Sequence, residues 1–212
     1  LRVDMHCDES DDPLSRHVET LAFHTQRLGL QGRVTGSHLT SMHSMDNYYV
    51  SKLLPLMREA GLHAVANPLV NITLQGRHDS YPRRRGMTRV PELLAAGINV
   101  GFGHDCVMDP WYSLGSADML EVAAMGLHVA QMTSQTQMRQ CFDAVTVNSA
   151  RILGLDELLD LALDGERGDV LAVVAVDAAV EEELEREQPA RRVDVLVGDH
   201  SRDRRFVHAD VL

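Results

Sequence analysis

The sequence predicts an α/β fold in which parallel strands alternate with helices. Two observations lead to this prediction. Short apolar runs of strand length alternate with longer segments whose apolar residues recur at helical spacing, and glycines follow several of the helical segments. Four strand–helix units of this kind make up half of an eight-stranded (β/α) barrel, and the 212 residues of the chain fall short of the roughly 250 that a complete barrel needs.

The first two strand–helix units have clear signals. Residues 1–6 are predicted as a buried strand, and an Asp-Pro pair opens a helix predicted over residues 12–28. Residues 33–38 are a second predicted strand and residues 47–60 a second predicted helix. A glycine follows each helix, and glycine commonly ends helices because it adopts the left-handed backbone without steric cost.

The next units follow the same pattern. The third strand ends in Asn-Pro and precedes a long polar stretch, which we interpret as a loop. Helical periodicity returns after that loop, and the fourth strand ends in Gly-His-Asp. The predicted bounds are a strand over residues 63–68, the loop over 69–87, a helix over 90–96, a strand over 98–105, and helices over 117–132 and 143–153.

The character of the chain changes near residue 155. Two strand-like runs, residues 168–176 and 191–199, flank an acidic helix predicted over residues 179–187. We therefore predict two parts of the chain. Residues 1–155 form the barrel segment, and residues 156–212 form a small β-rich appendage that is part of a β-sandwich domain.

The composition excludes several classes of partner. The net charge is −11, with 31 acidic residues against 20 Lys and Arg, so binding to nucleic acid or to an anionic membrane surface is not expected. The three cysteines are few, and their number is odd, so they do not suggest a disulfide framework. This favours a reduced, cytoplasmic compartment. The sequence contains no signal peptide and no apolar run of membrane length.

Polar residues stand where the four predicted strands end. His6 ends the first strand, His38 the second and Asn67 the third, and the fourth ends in His104 and Asp105. Barrel enzymes place their chemistry at the C-terminal ends of the strands, because loops from several strands converge there. The pattern therefore predicts an active site at this end of the sheet.

His6 and Asp105 are the candidate ligands of a divalent metal ion. A neutral imidazole nitrogen and a carboxylate oxygen are suitable donors for Zn²⁺ or Fe²⁺. A hydrolytic metal keeps one position open for water and lowers the pKa of that water. Glu9, three residues past His6, can reach the same pocket and move protons, and His38 can hold the attacking water or stabilise developing charge.

Each of these residues also has a structural interpretation. A single strand-end histidine is more often a hydrogen-bonded structural residue than a ligand, which applies to His6, to His38 and still more to His43. Asp105 alone can simply cap a following helix. Trp111, the only tryptophan, can anchor a loop or cover a planar ring. The residue pattern alone leaves open both a metal-dependent barrel hydrolase and a set of unrelated structural residues.

Five segments resemble the cytosine deaminase family of the metal-dependent amidohydrolase superfamily, in the right order over residues 1–155. They are VDMHCDE, RVTGSHLTSMHS, VANPLVNITLQGRHDSYPRRRGMTRV, INVGFGHDCVMDPWYSLG and NSARILGL. The resemblance implies a (β/α)8 barrel of the TIM type, with strands five to eight in this chain. It also implies hydrolytic deamination of cytosine to uracil and ammonia by metal-activated water.

The resemblance assigns a role to each candidate residue. His6 would be the metal ligand after the fifth barrel strand and Asp105 the ligand after the eighth, around one divalent ion, Fe or Zn. Glu9 would carry protons between water and the ring nitrogen of the pyrimidine. His38 would position or polarise the water together with Asp105, and Trp111 would pack beside the base.

Cys106 departs from the family pattern, because the best-known members have a second acid directly after the metal-binding Asp. The position borders the substrate, so the loss of a charge and an acceptor leaves isoguanine, 5-methylcytosine and creatinine open beside cytosine. Two other functions also stay open. They are a cyclic amide or ester hydrolase of the same superfamily, and a subunit that only pairs with another barrel half.

The resemblance also implies partners. The first strand of the superfamily carries an H-x-H pair that supplies two more metal ligands, and no such pair ends a predicted strand here. We therefore expect that the chain requires an N-terminal barrel half and is inactive and unstable without it. The expected enzyme is a cytoplasmic homo-oligomer that acts on a small nucleobase or a similar heterocycle. After Gly165 the resemblance is weak.

Overall fold

The computed structural model describes residues 1–155 and the backbone of two further strands near the C-terminus. Its main sheet contains four parallel strands in the order β1-β2-β3-β4. The predicted α/β fold is confirmed, and each strand lies within one residue of its predicted range. The strands are β1 (Val3–Cys7), β2 (Val34–His38), β3 (His63–Ala66) and β4 (Asn99–Phe102).

Helices connect and follow these strands. The seven α-helices within residues 1–155 are α1 (His17–Arg27), α2 (Asn47–Glu59), α3 (Pro68–Leu74), α4 (Val90–Ala95), α5 (Met119–Val129), α6 (Gln135–Ala144) and α7 (Val147–Leu153). A short 3-10 helix, Thr40–Ser44, directly follows β2 and leads into α2.

The first helix begins later than predicted, at His17 rather than at residue 12. The Asp12 carboxylate accepts a hydrogen bond from the backbone N–H of Leu14 at 2.8 Å, which forms a local turn. Such side-chain turns compete with the helix for the same backbone donors. The Asp8 carboxylate instead receives the first helical N–H groups, those of His17 and Val18.

Two helices lie where none was predicted. α3 occupies the start of the stretch that we expected to be a loop, and Pro68 at its first turn fits a helix start because no partner is needed there for the missing N–H. α6 begins with a capping box between Ser134 and Gln137. The predicted helix over 143–153 is found as α7, which begins at Val147, and the first two residues of that range belong to the end of α6.

The core lies between the sheet and its helices. β2 is buried along its whole length, whereas Asp4, Met5 and His6 of β1 are exposed. Phe102 at the end of β4 is 1% exposed and packs against Gly126 of α5. A Cβ added at Gly126 would lie 2.4 Å from the Phe102 ring, so the absence of a side chain there permits the close packing of α5 on β4.

Both edges of the main sheet are open among the described residues, because β1 and β4 each have one neighbouring strand. Closure into a barrel would give each of them a second neighbour, and it stays a prediction. In the part of the chain that the structure describes, no helix has both the length and the apolar character needed to cross a membrane.

The strand predicted over residues 191–199 is confirmed as β5 (Arg192–Val197). It pairs in antiparallel fashion with β6 (Arg205–Asp210), which the sequence analysis did not predict. The strand predicted over residues 168–176 and the helix predicted over 179–187 lie outside the described residues, and the division of the chain after residue 155 stays a prediction.

Candidate active site

The predicted site residues follow the C-terminal ends of the parallel strands. His6 lies in β1 opposite Ser37, and His38 is the last residue of β2. Asp105 comes shortly after β4, and Glu9 follows β1. Since all strands of a parallel sheet end at the same edge, these side chains approach one another although up to about a hundred residues separate them in the sequence.

His38 is the centre of this group. Its side chain is 1% exposed, and its Nδ1 atom lies 3.4 Å from Oε1 of Glu9 and 3.9 Å from Oδ2 of Asp105. The His6 ring packs edge-on against the His38 ring, with 4.7 Å between the ring centroids. The Glu9 side chain is 34% exposed and that of Asp105 8%, so one carboxylate faces solvent more than the other.

The backbone at these strand ends is left-handed at four residues. Asp8, His38, Leu39 and Asp105 have φ values of 56°, 70°, 50° and 67°. For residues other than glycine such a conformation costs about 1–3 kcal/mol, and it persists where the surrounding structure fixes it, often at functional sites. Two of the four, His38 and Asp105, are residues that the sequence analysis selected for chemistry.

Asp8 anchors the segment that carries Glu9. Its carboxylate accepts hydrogen bonds from Ser15 Oγ at 2.8 Å, from the N–H of His17 at 2.9 Å and from the N–H of Val18 at 2.8 Å. Burial alone would raise the pKa of this carboxyl, but the hydrogen bonds from Val18, His17 and Ser15 outweigh burial and lower the pKa below its ordinary value. The loop after β1 is therefore fixed to the start of α1.

The same loop is tied to the 3-10 helix. The carbonyl of Asp8 accepts hydrogen bonds from the N–H of Ser41 and from Oγ1 of Thr40, both at 3.0 Å. The carbonyl of Cys7 accepts from the N–H of Leu39, also at 3.0 Å. Glu9 thus follows a backbone segment that is held on both sides.

Two buried asparagines contact His38. The amide Nδ2 atoms of Asn71 and Asn67 lie 3.1 Å and 3.3 Å from Nδ1 of His38. Both side chains come from the junction of β3 and α3 and are almost completely buried. Asn67 was recognised as a strand-end residue, but Asn71 was missed because α3 was not predicted. The signal was the N-P-x-x-N spacing, which places two amides one helical turn apart.

His43 has a structural role at the rim of the site. Its Nε2 lies 2.9 Å from Oδ1 of Asp11, and the other oxygen of Asp11 accepts from the N–H of Gly76 at 2.8 Å. Burial lowers the pKa of His43, and Asp11 opposes this shift only in part. Arg84 donates to the Asp11 carbonyl at 3.2 Å and forms an ion pair with Asp79 at 2.7 Å. This network joins the loop after β1 to the loop after α3.

The loop after β4 carries the remaining candidates. His104 is buried, and its Nδ1 lies 2.9 Å from the carbonyl oxygen of Cys106. Cys106 is half-buried. Trp111 is 68% exposed, and its backbone N–H donates to Oδ1 of Asp109 at 2.9 Å. No measured contact joins Trp111 to the group around His38 within the described residues.

The site contains donors that fit a metal ion. In the described part of the chain, His6, Glu9 and His38 form a group whose ligand atoms all lie within 4.8 Å of one another. Imidazole nitrogens and carboxylate oxygens are the ligands of hydrolytic Zn²⁺ and Fe²⁺ sites. The group includes His6 of the predicted ligand pair. Asp105 is not part of this group and instead approaches it through His38.

The family follows from the whole sequence. The profile of the amidohydrolase family matches residues 1–193 of the 212. The chain belongs to the amidohydrolase family. The predicted membership of the amidohydrolase family is thereby confirmed. Similar proteins support the predicted resemblance to cytosine deaminases.

Among curated proteins, a pterin deaminase from Rhizobium rhizogenes is 31% identical over 172 residues, which are 81% of this chain and 39% of that protein. Among solved structures, a 5-methylcytosine deaminase from Klebsiella pneumoniae, liganded with 5-fluorocytosine, is 42% identical with a TM-score of 0.74 over 85% of this chain and 44% of that one. An N-isopropylammelide isopropylaminohydrolase from Burkholderia multivorans is 26% identical with a TM-score of 0.62, over 93% of this chain and 45% of that one. The chain thus spans less than half the length of these amidohydrolases.

Proposed function

We propose that the protein carrying this chain hydrolyses the bond between a ring carbon and its exocyclic amino nitrogen in a cyclic amidine, cytosine or 5-methylcytosine. The observation that carries the proposal is the approach of two carboxylates, Glu9 and Asp105, to the buried imidazole of His38 at the strand ends. Similarity to a 5-methylcytosine deaminase over 85% of the chain supports the choice of a pyrimidine.

The reaction consumes water and releases ammonia. The water oxygen forms a bond to the amino-bearing ring carbon, one proton moves to the adjacent ring nitrogen, and the amino group leaves with a second proton as ammonia. We assign these proton transfers to Glu9. Its partly exposed carboxylate can accept a proton from water and return it to the ring or to the leaving amine.

We assign to the remaining residues of the site the binding of the metal ion and the stabilisation of developing charge. We assign the divalent ion, Fe or Zn, to His6 and Asp105, with further ligands supplied from outside the described residues; His6 is exposed and leaves room for them. When bound, such an ion lowers the pKa of the attacking water. His38 stabilises the charge that develops on the reacting oxygen, in a buried position where electrostatic interactions are strong.

Cys106 and Trp111 are the residues that we assign to the base. Cys106 directly follows Asp105 and offers a neutral, half-buried side chain beside the substrate, where an acid would impose a charge. Trp111 presents an exposed indole on the same loop, and an indole face can pack on a planar ring.

A pterin is the second candidate substrate, because a pterin deaminase is similar to 81% of this chain. A pterin carries its amino group on a ring carbon between two ring nitrogens, whereas the amino-bearing carbon of cytosine has one ring nitrogen beside it, and the second ring of the pterin needs a larger pocket. The chemistry proposed for Glu9 and His38 is the same for both substrates, so the distinction between them depends on the loop that carries Cys106 and Trp111.

We further propose that β1 and β4 are inner strands of a closed (β/α)8 barrel whose other half includes residues outside this chain. Both strands have an open edge among the described residues, and β1 exposes Asp4, Met5 and His6. An unpaired edge and an exposed apolar side chain in a parallel sheet are typical of surfaces that other elements cover.

The test of the proposed function is a substrate panel assayed for ammonia release with the protein at its natural full length, purified with its own metal. The panel contains cytosine, 5-methylcytosine, isoguanine, creatinine and a pterin, with a lactone and a cyclic amide assayed for ring opening. We expect turnover of cytosine or 5-methylcytosine. Ring opening of the amide or the lactone with no ammonia from any amino-bearing ring would contradict deamination.

A further inference from the structure

The imidazole of His38 is enclosed by the side-chain amides of Asn67 and Asn71. Asn71 is 0% exposed, Asn67 3% and His38 1%. Gly103 makes room for this group, because a Cβ at that position would lie 2.4 Å from Oδ1 of Asn67. The end of β2, the start of α3 and the residue after β4 are therefore shaped around one packed unit.

The backbone fixes which way the Asn71 amide faces. The N–H of Asn67 lies 3.3 Å from Oδ1 of Asn71, and a backbone N–H can only donate. Oδ1 is therefore the accepting atom, and the other amide atom, Nδ2, faces His38 at 3.1 Å. The N–H of Asn71 in turn donates to the carbonyl of Asn67 at 2.9 Å, so backbone and side chain close the same helical turn.

This orientation determines the proton on His38. The amide NH₂ of Asn71 is a donor, so Nδ1 of His38 has to be the acceptor, and a neutral imidazole with a lone pair on Nδ1 carries its proton on Nε2. The amide of Asn71 lies nearer to Nδ1 than either carboxylate does, at 3.1 Å against 3.4 Å for Glu9 and 3.9 Å for Asp105. Asn67 Nδ2 is almost equally far from both ring nitrogens, at 3.3 Å and 3.4 Å, and does not distinguish the two tautomers.

We propose that Asn71 is a positioning residue that holds His38 with its proton on Nε2, so that His38 serves the reaction as a hydrogen-bond donor. The inference rests on the proposed function and deepens it. A histidine held in this form cannot accept a proton at Nε2 and has its Nδ1 lone pair engaged by Asn71. The proton transfers of the reaction therefore belong to Glu9 and not to His38.

The direct test is the tautomer of His38. The full-length protein, loaded with zinc and labelled with ¹⁵N-histidine, gives ring-nitrogen shifts that separate a protonated nitrogen from one with a lone pair. His38 is identified among the histidines of the protein by the signals that disappear in His38→Gln. We expect the proton on Nε2. A proton on Nδ1 in the wild-type protein would overturn the inference without any variant of Asn71.

Asn71→Asp supplies the second arm, because an Asp oxygen in place of Nδ2 is an acceptor and draws the proton to Nδ1. We expect this shift together with a kcat lower by about ten- to a hundredfold and little change in KM. The matched control is Asn99→Asp. Asn99 Nδ2 lies 3.2 Å from Nδ1 of His63 at the opposite end of the sheet, so this variant makes the same change away from the site and should keep wild-type kcat.

The two arms separate this inference from the proposed function. If the wild-type protein releases no ammonia from any base, the proposed function fails, and the ¹⁵N shifts still decide the role of Asn71. If it deaminates a base and Asn71→Asp leaves both the tautomer and kcat unchanged in a folded protein, the function stands and the inference is wrong.

Discussion

Among single residues, Cys106 is the one that we propose to lie against the substrate beside Asp105. Cys106 is half-buried and neutral, and its neighbour Asp105 has an 8% exposed carboxylate. A second carboxylate here would be close to the charge of Asp105 and, in the proposed site, would lie against the base. We therefore propose that the neutral Cys106 accommodates an apolar substituent on the ring.

We expect Cys106→Asp to shift preference from 5-methylcytosine to cytosine. A methyl group beside a partly desolvated carboxylate costs binding energy that cytosine, without that methyl, does not lose, and one such group changes kcat/KM by roughly ten- to two-hundredfold. The measurement is the ratio of kcat/KM for the two bases. Cys106→Ser, which keeps a small neutral side chain, is the control and should leave the ratio close to that of wild type. An unchanged ratio in Cys106→Asp would remove Cys106 from the substrate site.

Among the secondary-structure elements, the start of α1 fixes the loop next to the site. The side chain of Arg16, the residue before the helix, makes no hydrogen bond that caps it. Asp8, at the end of β1, supplies the accepting oxygens instead and so couples the strand to the helix. The position of Glu9 is thereby linked to the stability of α1.

Asp8→Asn should destabilise the protein by about 1–2 kcal/mol, since it replaces a charged acceptor at a helix start by a neutral one. The hydrogen bonds lower the pKa of Asp8 below its ordinary value of 3.8. Its contribution is therefore present above that pH and lost as the pH falls through the lowered pKa. Urea unfolding at pH 7 and at acid pH tests this. The difference between wild type and variant should shrink on acidification, and an equal difference at both pH values would contradict it.

Gly126→Ala tests the packing of α5 on β4. Alanine gains about 1 kcal/mol of helix propensity over glycine, but its Cβ would lie 2.4 Å from the Phe102 ring, and overpacking a core costs about 1–3 kcal/mol. We expect the clash to exceed the propensity gain and to lower Tm. A Tm equal to or above that of the wild-type protein would show that α5 can move away from Phe102 at little cost.

The sequence predicted the four strands closely because segments of strand length alternate with helical segments, and glycines follow several of those helices. It predicted His6, His38 and Asp105 as site candidates because strand ends are positions that can be read from the order of residues. Asn71 could not be found in this way, since its role depends on α3, which is only seven residues long and opens the stretch that was predicted as a loop. The cap that Asp8 places on α1 depends on the path of the chain between them.

At the scale of the whole molecule, a parallel sheet gathers polar groups from distant parts of the chain at one edge. β1 and β2 contribute His6 and His38, and the segment after β4 contributes Asp105. The relatives are more than twice as long as the matched segment, and both sheet edges are open among the described residues. The proposed activity therefore belongs to the full-length protein.

We propose that Glu9 transfers the protons of a deamination, and the other residue roles depend on this one. The most direct measurement is ammonia release from cytosine and 5-methylcytosine by the full-length protein, compared with Glu9→Gln and with Glu59→Gln, the same change at an exposed residue of α2. We predict that Glu9→Gln lowers kcat by about 10²–10⁴ while Glu59→Gln matches wild type. A Glu9→Gln protein that releases ammonia at the wild-type rate would contradict the account.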